Sequence, residues 1–301
     1  MKHSKLLHQY KNGNYIVRLF DDGTKLRFTL DDEFVSEFPE SIDIKITNHC
    51  DLNCPMCHEK SSLNGSHGLL NIPFLKTLPK GIELAIGGGN PLSHPELEMF
   101  LNEMRLSGIV SNLTVNQKHF IKEKVLIEKL INEHLIYGLG ISVINDEAID
   151  EIINFSNKYS NTVVHVIAGI TTLELLKKLY DQNIKLLVLG YKCFGRGKNY
   201  YSENVKNKIE YLKENILDIS NHFNLVSFDN QALLDLDIRK QIGEEKYNKY
   251  YMGDDGLFTM YIDLVEKKFA VSSTSSVRYN LLDNIEDMFK VVKEEVNGKD
   301  F

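Results

Sequence analysis

Between Ser41 and Leu189 the chain alternates short apolar runs with longer amphipathic stretches, and this alternation restricts the possible folds more than any other feature. The strand-like runs are Ile42–Ile46, Ile82–Ile86, Val110–Val115, Tyr137–Ile144, Val163–Ile170 and Lys185–Leu189. Between them, Pro95–Leu106, Lys124–Glu133, Glu147–Lys158 and Thr171–Asp181 repeat apolar residues at i, i+3 and i+4, the spacing of a helix with one buried face. Parallel strands need long crossover connections, and those crossovers are right-handed. The expectation is an α/β domain on a parallel sheet, either doubly wound or a partial barrel. In both cases binding loops belong at the carboxyl ends of the strands.

The flanks read differently. Residues 15–30 alternate apolar positions around Asp22-Gly23, a favoured tight-turn dipeptide, and predict a β-hairpin added ahead of the main domain. After about Asn199 the sequence predicts a long helix over Glu203–Leu217, a strand at Leu225–Phe228 and a polar helix. A second hairpin from Phe258–Leu264 and Lys268–Ser272, and a closing helix over Ile285–Val296, complete the chain. The expected division is an N-terminal hairpin extension at 1–40, a core at 41–200 and a C-terminal extension at 201–301. No run of about eighteen apolar residues occurs, so no membrane span is expected. The polar start, Met1–Lys11, is not a secretory signal. A net charge of −7 argues against an extended nucleic-acid backbone as partner, although a local basic patch would leave a nucleic-acid substrate open.

Three of the four cysteines fall within Lys45-Ile-Thr-Asn-His-Cys50-Asp-Leu-Asn-Cys54-Pro-Met-Cys57-His58, directly after the first strand of the α/β pattern. A tight cluster in a chain without a leader suggests a metal site in a reducing compartment, hence the cytoplasm, rather than a disulfide framework. Three thiolates on one loop can each bind one iron of a cubane cluster. The fourth iron then has no ligand from this loop, and an open coordination position separates a catalytic metal centre from a structural one. The alternative is structural zinc on Cys50, Cys54, Cys57 and either His49 or His58, although such sites usually draw their ligands from two separated pairs. The second strand ends in Gly87-Gly88-Gly89-Asn90-Pro91, where glycines let ligand atoms approach the backbone or simply form a turn into the next helix.

The C-x3-C-x2-C motif on the loop after the first strand resembles the signature of the radical S-adenosylmethionine (SAM) superfamily, over roughly Ser41 to Leu189. The resemblance implies a partial (β/α)6 TIM-like barrel with a [4Fe–4S] cluster on Cys50, Cys54 and Cys57. It further implies SAM bound to the fourth iron through its amino and carboxylate groups. Reductive cleavage of SAM would give a 5′-deoxyadenosyl radical that takes hydrogen from a peptide or small-molecule substrate. A flavodoxin- or ferredoxin-like one-electron donor is implied as a partner. Met56 occupies the place of the family's bulky residue near the adenine. Gly88, Gly89, Asn90 and Pro91 fall on a Gly-Gly-Glu-Pro-like stretch that meets the SAM amino group, with Asn90 where Glu is usual. Thr114 and Asn116 look like the third strand end. Ser142 resembles the fourth-strand position that contacts the SAM ribose or carboxylate, and His165 begins a run similar to the fifth-strand segment against the adenine. Strand-end Ser and Asn also serve as turn residues and helix caps.

Two later segments carry further candidates. Lys192, Arg196 and Lys198 lie on a glycine-flanked loop that either binds an anionic group or is an exposed basic turn. Cys193 within it reads as a hydrogen donor, a redox partner, an auxiliary ligand or a small buried hydrophobe. The stretch from Tyr251 to Ser273 loosely resembles the hairpin of SPASM/twitch extensions, but no cysteine follows Cys193, so no auxiliary cluster forms there. Asp254, Asp255 and Asp263 are substrate contacts or solvated turn residues. Three functions follow: a radical SAM enzyme acting on a peptide, amino acid or small molecule; one acting on a nucleotide or nucleic-acid base; or a non-enzymatic Fe–S or zinc-binding module.

Overall fold

The computed structural model describes residues 4–298. It opens with β1 (Leu6–Asn12), β2 (Tyr15–Phe20) and β3 (Lys25–Phe28), which form an antiparallel meander. The expected turn at Asp22-Gly23 joins β2 to β3, with Gly23 at φ +87° and Asp22 Oδ1 accepting the Thr24 N–H at 2.9 Å. The polar residues ahead of that hairpin supply one strand more than the sequence pattern marks.

The main sheet begins with β4 (Ser41–Thr47), β5 (Glu83–Gly88), β6 (Val110–Asn116), β7 (Gly138–Ser142), β8 (Thr162–Ile167) and β9 (Lys185–Leu189). Each pairs in parallel with the next, as the alternating pattern requires. The crossovers carry α1 (Leu97–Leu106), α2 (Gln117–Asn132), α3 (Ile149–Lys158) and α4 (Leu173–Leu179). The helix expected from Lys124 starts at Gln117 instead: a non-helical Glu123 (φ −113°, ψ 23°) interrupts the period, and the turn before it is helical and buries His119 and Phe120.

Beyond β9 come α5 (Gly197–Tyr200), α6 (Glu203–Ser220) and β10 (Leu225–Phe228), which adds to β9 in parallel. Three short helices, α7 (Asn230–Asp235), α8 (Ile238–Ile242) and α9 (Glu244–Tyr250), stand where one polar helix is expected. β11 (Thr259–Asp263) and β12 (Lys268–Ala270) form the anticipated hairpin, and β11 also pairs in parallel with β4, so the hairpin continues the main sheet. β13 (Tyr279–Asn280) and α10 (Ile285–Asn297) complete the chain. The order β10-β9-β8-β7-β6-β5-β4-β11-β12-β13 is an open sheet whose two edges do not meet.

Side chains alternate between the faces of this sheet and decide between the two architectures the sequence allows. On one face Ile42, Ile44, Leu84, Ile86, Leu113, Ile141, Val164 and Val188 are at most 1% exposed and share a single core with Phe100, Phe120, Ile152, Leu176 and Ile216 of the helices. Burying each such side chain contributes about 1.5–3 kcal/mol. The other face presents Asp43, Lys45, Ala85, Asn112, Thr114, Gly140, Ser142 and His165, a largely small and polar set that Val163, Ile167, Leu187 and Leu189 extend with apolar side chains on the last two strands. Helices on one face and a largely polar opposite face make a partial barrel rather than a doubly wound sheet.

The meander plugs the amino end of that barrel and leaves a cavity of about 270 Å³ lined by Leu19, Ala85, Asn112, Gly138, Gly140 and His165. A Cβ on Gly140 would lie 2.2 Å from the His165 ring, and one on Gly138 would lie 2.7 Å from Asn112 Oδ1, so these glycines make room for the two larger side chains. The meander closes the floor from below through Lys25–Glu83 (2.6 Å) and Asn161 Nδ2–H to the Asp21 carbonyl (2.6 Å). The carboxyl ends of the strands are left as the place for chemistry. No helix among the described residues is long and apolar enough to cross a membrane.

Candidate metal and cofactor site

The cysteine loop leaves β4 at Thr47 and folds back on itself. The Cys50 N–H donates to the Ser62 carbonyl at 2.9 Å and the Ser62 N–H donates to the Asn48 carbonyl at 3.1 Å. Inside this ring the Cys57 N–H reaches the Cys54 carbonyl at 3.2 Å, with Asn53 and Lys60 in the left-handed region at φ +46° and +53°. Cys50 is buried, Cys54 and Cys57 are half-buried, and none is in a disulfide. Burial raises the Cys50 and Cys54 thiols above their ordinary range, and the charge of neighbouring cysteines raises them further. Sulfurs placed this way stay thiolates only with a cation among them, so the donor set fits a metal centre.

The glycine stretch after β5 locks onto this loop. Gly88 has φ +114°, and a Cβ there would sit 2.2 Å from the Thr47 carbonyl oxygen; one on Gly89 would sit 2.2 Å from that of His49. The Gly89 and Asn90 N–H groups donate to the same two carbonyls at 2.7 Å each. The close approach that these two glycines permit is therefore made by the chain's own cysteine loop and not by a ligand. Gly87, which the motif reading passes over, is the open one: a Cβ there meets nothing within 4 Å. Asn90 is 7% exposed and its buried Oδ1 has no hydrogen-bond partner, an orphan acceptor worth about 1–3 kcal/mol until a donor arrives. Met56 packs beside Ile170, Tyr191 and Val205.

The later strand ends are more mixed. Asn116 caps α2, its Oδ1 accepting the Lys118 N–H at 3.0 Å, so that acceptor is already used. Ser142 lies in register between Asn116 and His165, and no hydrogen bond involves its hydroxyl among the described residues. Thr114 pairs with Gly140. His165 is 9% exposed; burial lowers its pKa to about 4, and its Nδ1 has no partner.

The charged residues around the loop are largely committed to holding it. Lys45 on β4 pairs with Glu59 at 2.8 Å and with Asp263 on β11 at 2.9 Å, and the Tyr261 hydroxyl donates to Glu59 at 3.1 Å. Asp263 also accepts the N–H groups of Val265 and Glu266, so it is a buried structural residue and not a solvated turn. Asp254 accepts from the Tyr251 hydroxyl, and Asp255 accepts from Asn230 Nδ2–H at 2.7 Å. In the basic loop Lys192 reaches Ser273 Oγ at 3.1 Å, whereas Arg196 donates to the Cys54 and Ser61 carbonyls at 2.9 Å each. Cys193 is exposed, which removes the buried-hydrophobe reading.

The imidazoles considered for zinc point elsewhere: His49 Nδ1 is 3.2 Å from Ser93 Oγ, and His58 Nε2 is 3.5 Å from Glu59. A third imidazole, invisible to local spacing, comes from the first turn of α2. His119 Nε2 is 2.6 Å from Asp51 Oδ1, and the ligand atoms of Cys50, Asp51 and His119 lie within 4.8 Å of one another.

No protein-family model matches the chain, and no curated protein does either. Solved structures share its fold. Streptococcus suis SuiB bound to S-adenosylmethionine aligns with a TM-score of 0.55 at 15% identity over 85% of this chain and 64% of that one. SuiB bound to its precursor peptide SuiA gives 0.56 at 15% identity over 85% and 65%. A further SuiB structure gives 0.57 at 15% identity over 88% and 69%. The chain therefore spans about two thirds of the length of the proteins whose fold it shares.

Proposed function

We propose that the chain is a radical SAM enzyme in which Cys50, Cys54 and Cys57 hold a [4Fe–4S] cluster with one iron open to SAM. One observation carries this reading: three free cysteines lie on a single loop that folds back on itself, while His49 and His58 on that loop are engaged away from them. Such a cluster supplies the electron that cleaves SAM and so gives a 5′-deoxyadenosyl radical. The chain's residues bind and orient. The open backbone at Gly87 and the orphan acceptor of Asn90 suit an ammonium group, with Gly88 and Gly89 holding that strand end against the cysteine loop; Ser142 has a hydroxyl with no hydrogen bond among the described residues, and Met56 offers an apolar contact for a purine. With its acceptor spent on the helix cap, Asn116 has only its amide N–H groups to offer. The core at 41–200 carries this machinery, with 1–40 and 201–301 as extensions.

A peptide is the favoured substrate class, because a protein of this fold has been captured with a precursor peptide. An external one-electron donor and a reducing compartment belong to the same reading. Anaerobic reconstitution with iron and sulfide, followed by iron analysis and a 5′-deoxyadenosine assay, tests it. The expected result is a brown protein with about four irons that cleaves SAM, and loss of both in Cys54→Ala.

A second reading has one observation in its favour, the convergence of Cys50, Asp51 and His119, which suits zinc. The same variant separates the two. Zinc held by those three residues survives Cys54→Ala, and stoichiometric zinc in a protein that never cleaves SAM would replace the radical reading.

A further inference from the structure

The loop from Gly190 to Gly197, between β9 and α5, crosses the cysteine loop and is fastened to it by backbone contacts that only glycine allows. A Cβ on Gly195 would lie 2.2 Å from the His58 carbonyl oxygen, and Gly195 itself is at φ +57°. A Cβ on Gly197 would lie 2.5 Å from the Lys192 carbonyl oxygen and 3.1 Å from that of Met56. The Arg196 N–H donates to the Cys57 carbonyl at 3.0 Å. Its side chain turns to the same loop: Nε–H donates to the Cys54 carbonyl and Nη2–H to the Ser61 carbonyl, each at 2.9 Å. Arg196 makes no ion pair with a carboxylate among the described residues.

We propose that Arg196 is the positioning residue of the cysteine loop, clamping it at Cys54, Cys57 and Ser61 and placing an uncompensated positive charge beside the metal centre. The proposal rests on the radical SAM reading. A planar fork can serve two carbonyls at once, which a lysine ammonium on a flexible stem cannot do with the same fixed geometry. A cluster bound by thiolates is a net anion that becomes more negative on reduction, so a nearby cation stabilises the reduced form and raises the potential. The anion that this glycine-flanked basic loop serves is then the cluster itself.

Arg196→Met removes both fork and charge, Arg196→Lys keeps the charge alone, and Lys198→Met removes an exposed cation of α5, just beyond the loop. In the reconstituted protein, Arg196→Met should lose iron to a chelator about ten-fold or more faster than wild type, and its midpoint potential should move negative. Arg196→Lys should lose iron faster while keeping a potential near that of wild type, and Lys198→Met should match wild type in both. In the cluster-free protein, hydrogen exchange across 50–62 should quicken in both Arg196 variants and stay unchanged in β6 and β7. Wild-type iron retention and exchange in Arg196→Met would overturn the proposal; if that variant does not fold, wild-type iron retention in Arg196→Lys would overturn it equally. Wild-type protein that takes up no cluster refutes the radical SAM reading instead, and the exchange measurement still decides whether Arg196 clamps the loop.

Discussion

A neutral imidazole buried inside the barrel makes stability sensitive to acid. The His165 ring fills the space that Gly140 leaves open, and burial lowers its pKa to about 4, against 6.5 for an ordinary histidine. The unfolded chain therefore takes up a proton that the folded chain refuses. The stability contributed by the neutral ring is complete above about pH 6.5 and is lost as pH falls toward 4. By linkage the loss between pH 7 and pH 5 is about 2 kcal/mol. His165→Gln removes this titration, so denaturant unfolding at the two pH values should show the variant losing about 2 kcal/mol less than wild type. Equal losses would mean that the ring is open to water in the folded protein. The Lys45–Glu59–Asp263 group is a different kind of buried charge, because one ammonium is shared by two carboxylates and the group serves to join the cysteine loop to two adjacent strands.

The strand-to-loop joint after β5 offers a paired test. Gly88→Ala places a side chain in the left-handed region at φ +114°, against a carbonyl that belongs to the exit of β4. It should cost about 1–3 kcal/mol and lower iron uptake, because the cysteine loop must shift to relieve the contact. Gly87→Ala meets open space; stability and iron content should hold while SAM affinity, measured by equilibrium dialysis, falls. Unchanged SAM affinity would remove Gly87 from the cofactor cradle. The six parallel strands are legible in the sequence because every strand must show an apolar face to the helices, and that requirement is local and periodic. The cysteine motif is legible for the same reason, as its ligands lie on one loop. The pairing of β11 with β4 is not, since the choice is made by contacts such as Lys45–Asp263 between residues far apart in the chain. Nor is β1, whose residues are largely polar and whose Asn12 is buried by bonding to the backbone of Glu37 and Phe38. His119 escapes notice because an imidazole two strands further along the chain gives no spacing to read, and Arg196 because its partners are carbonyls, which every residue possesses.

The two ends of the barrel divide stability from chemistry. At the amino end, the buried carboxylate of Glu40 (1% exposed) accepts from the Tyr15 hydroxyl at 2.7 Å and from Arg27 at 2.7 and 3.1 Å, with Lys25 at 3.5 Å. The Arg27 guanidinium also lies 3.8 Å over the Phe258 ring, and the Glu40 N–H donates to the Phe258 carbonyl at 2.7 Å. One carboxylate thus fastens the meander to the starts of β4 and β11, at the opposite end of β4 from the cysteine loop. Glu40→Ala strands the partly buried Arg27 guanidinium and should cost about 3 kcal/mol, the lower end of the range for broken buried pairs, because Lys25 keeps Glu83 as a partner. The unfolding midpoint should fall accordingly, while iron bound per folded molecule and SAM cleavage well below that midpoint stay at wild-type values. If iron uptake falls together with the midpoint, the plug reaches the cysteine loop through β4, and the amino-terminal meander is part of the machinery that shapes the site rather than a separate brace beneath it.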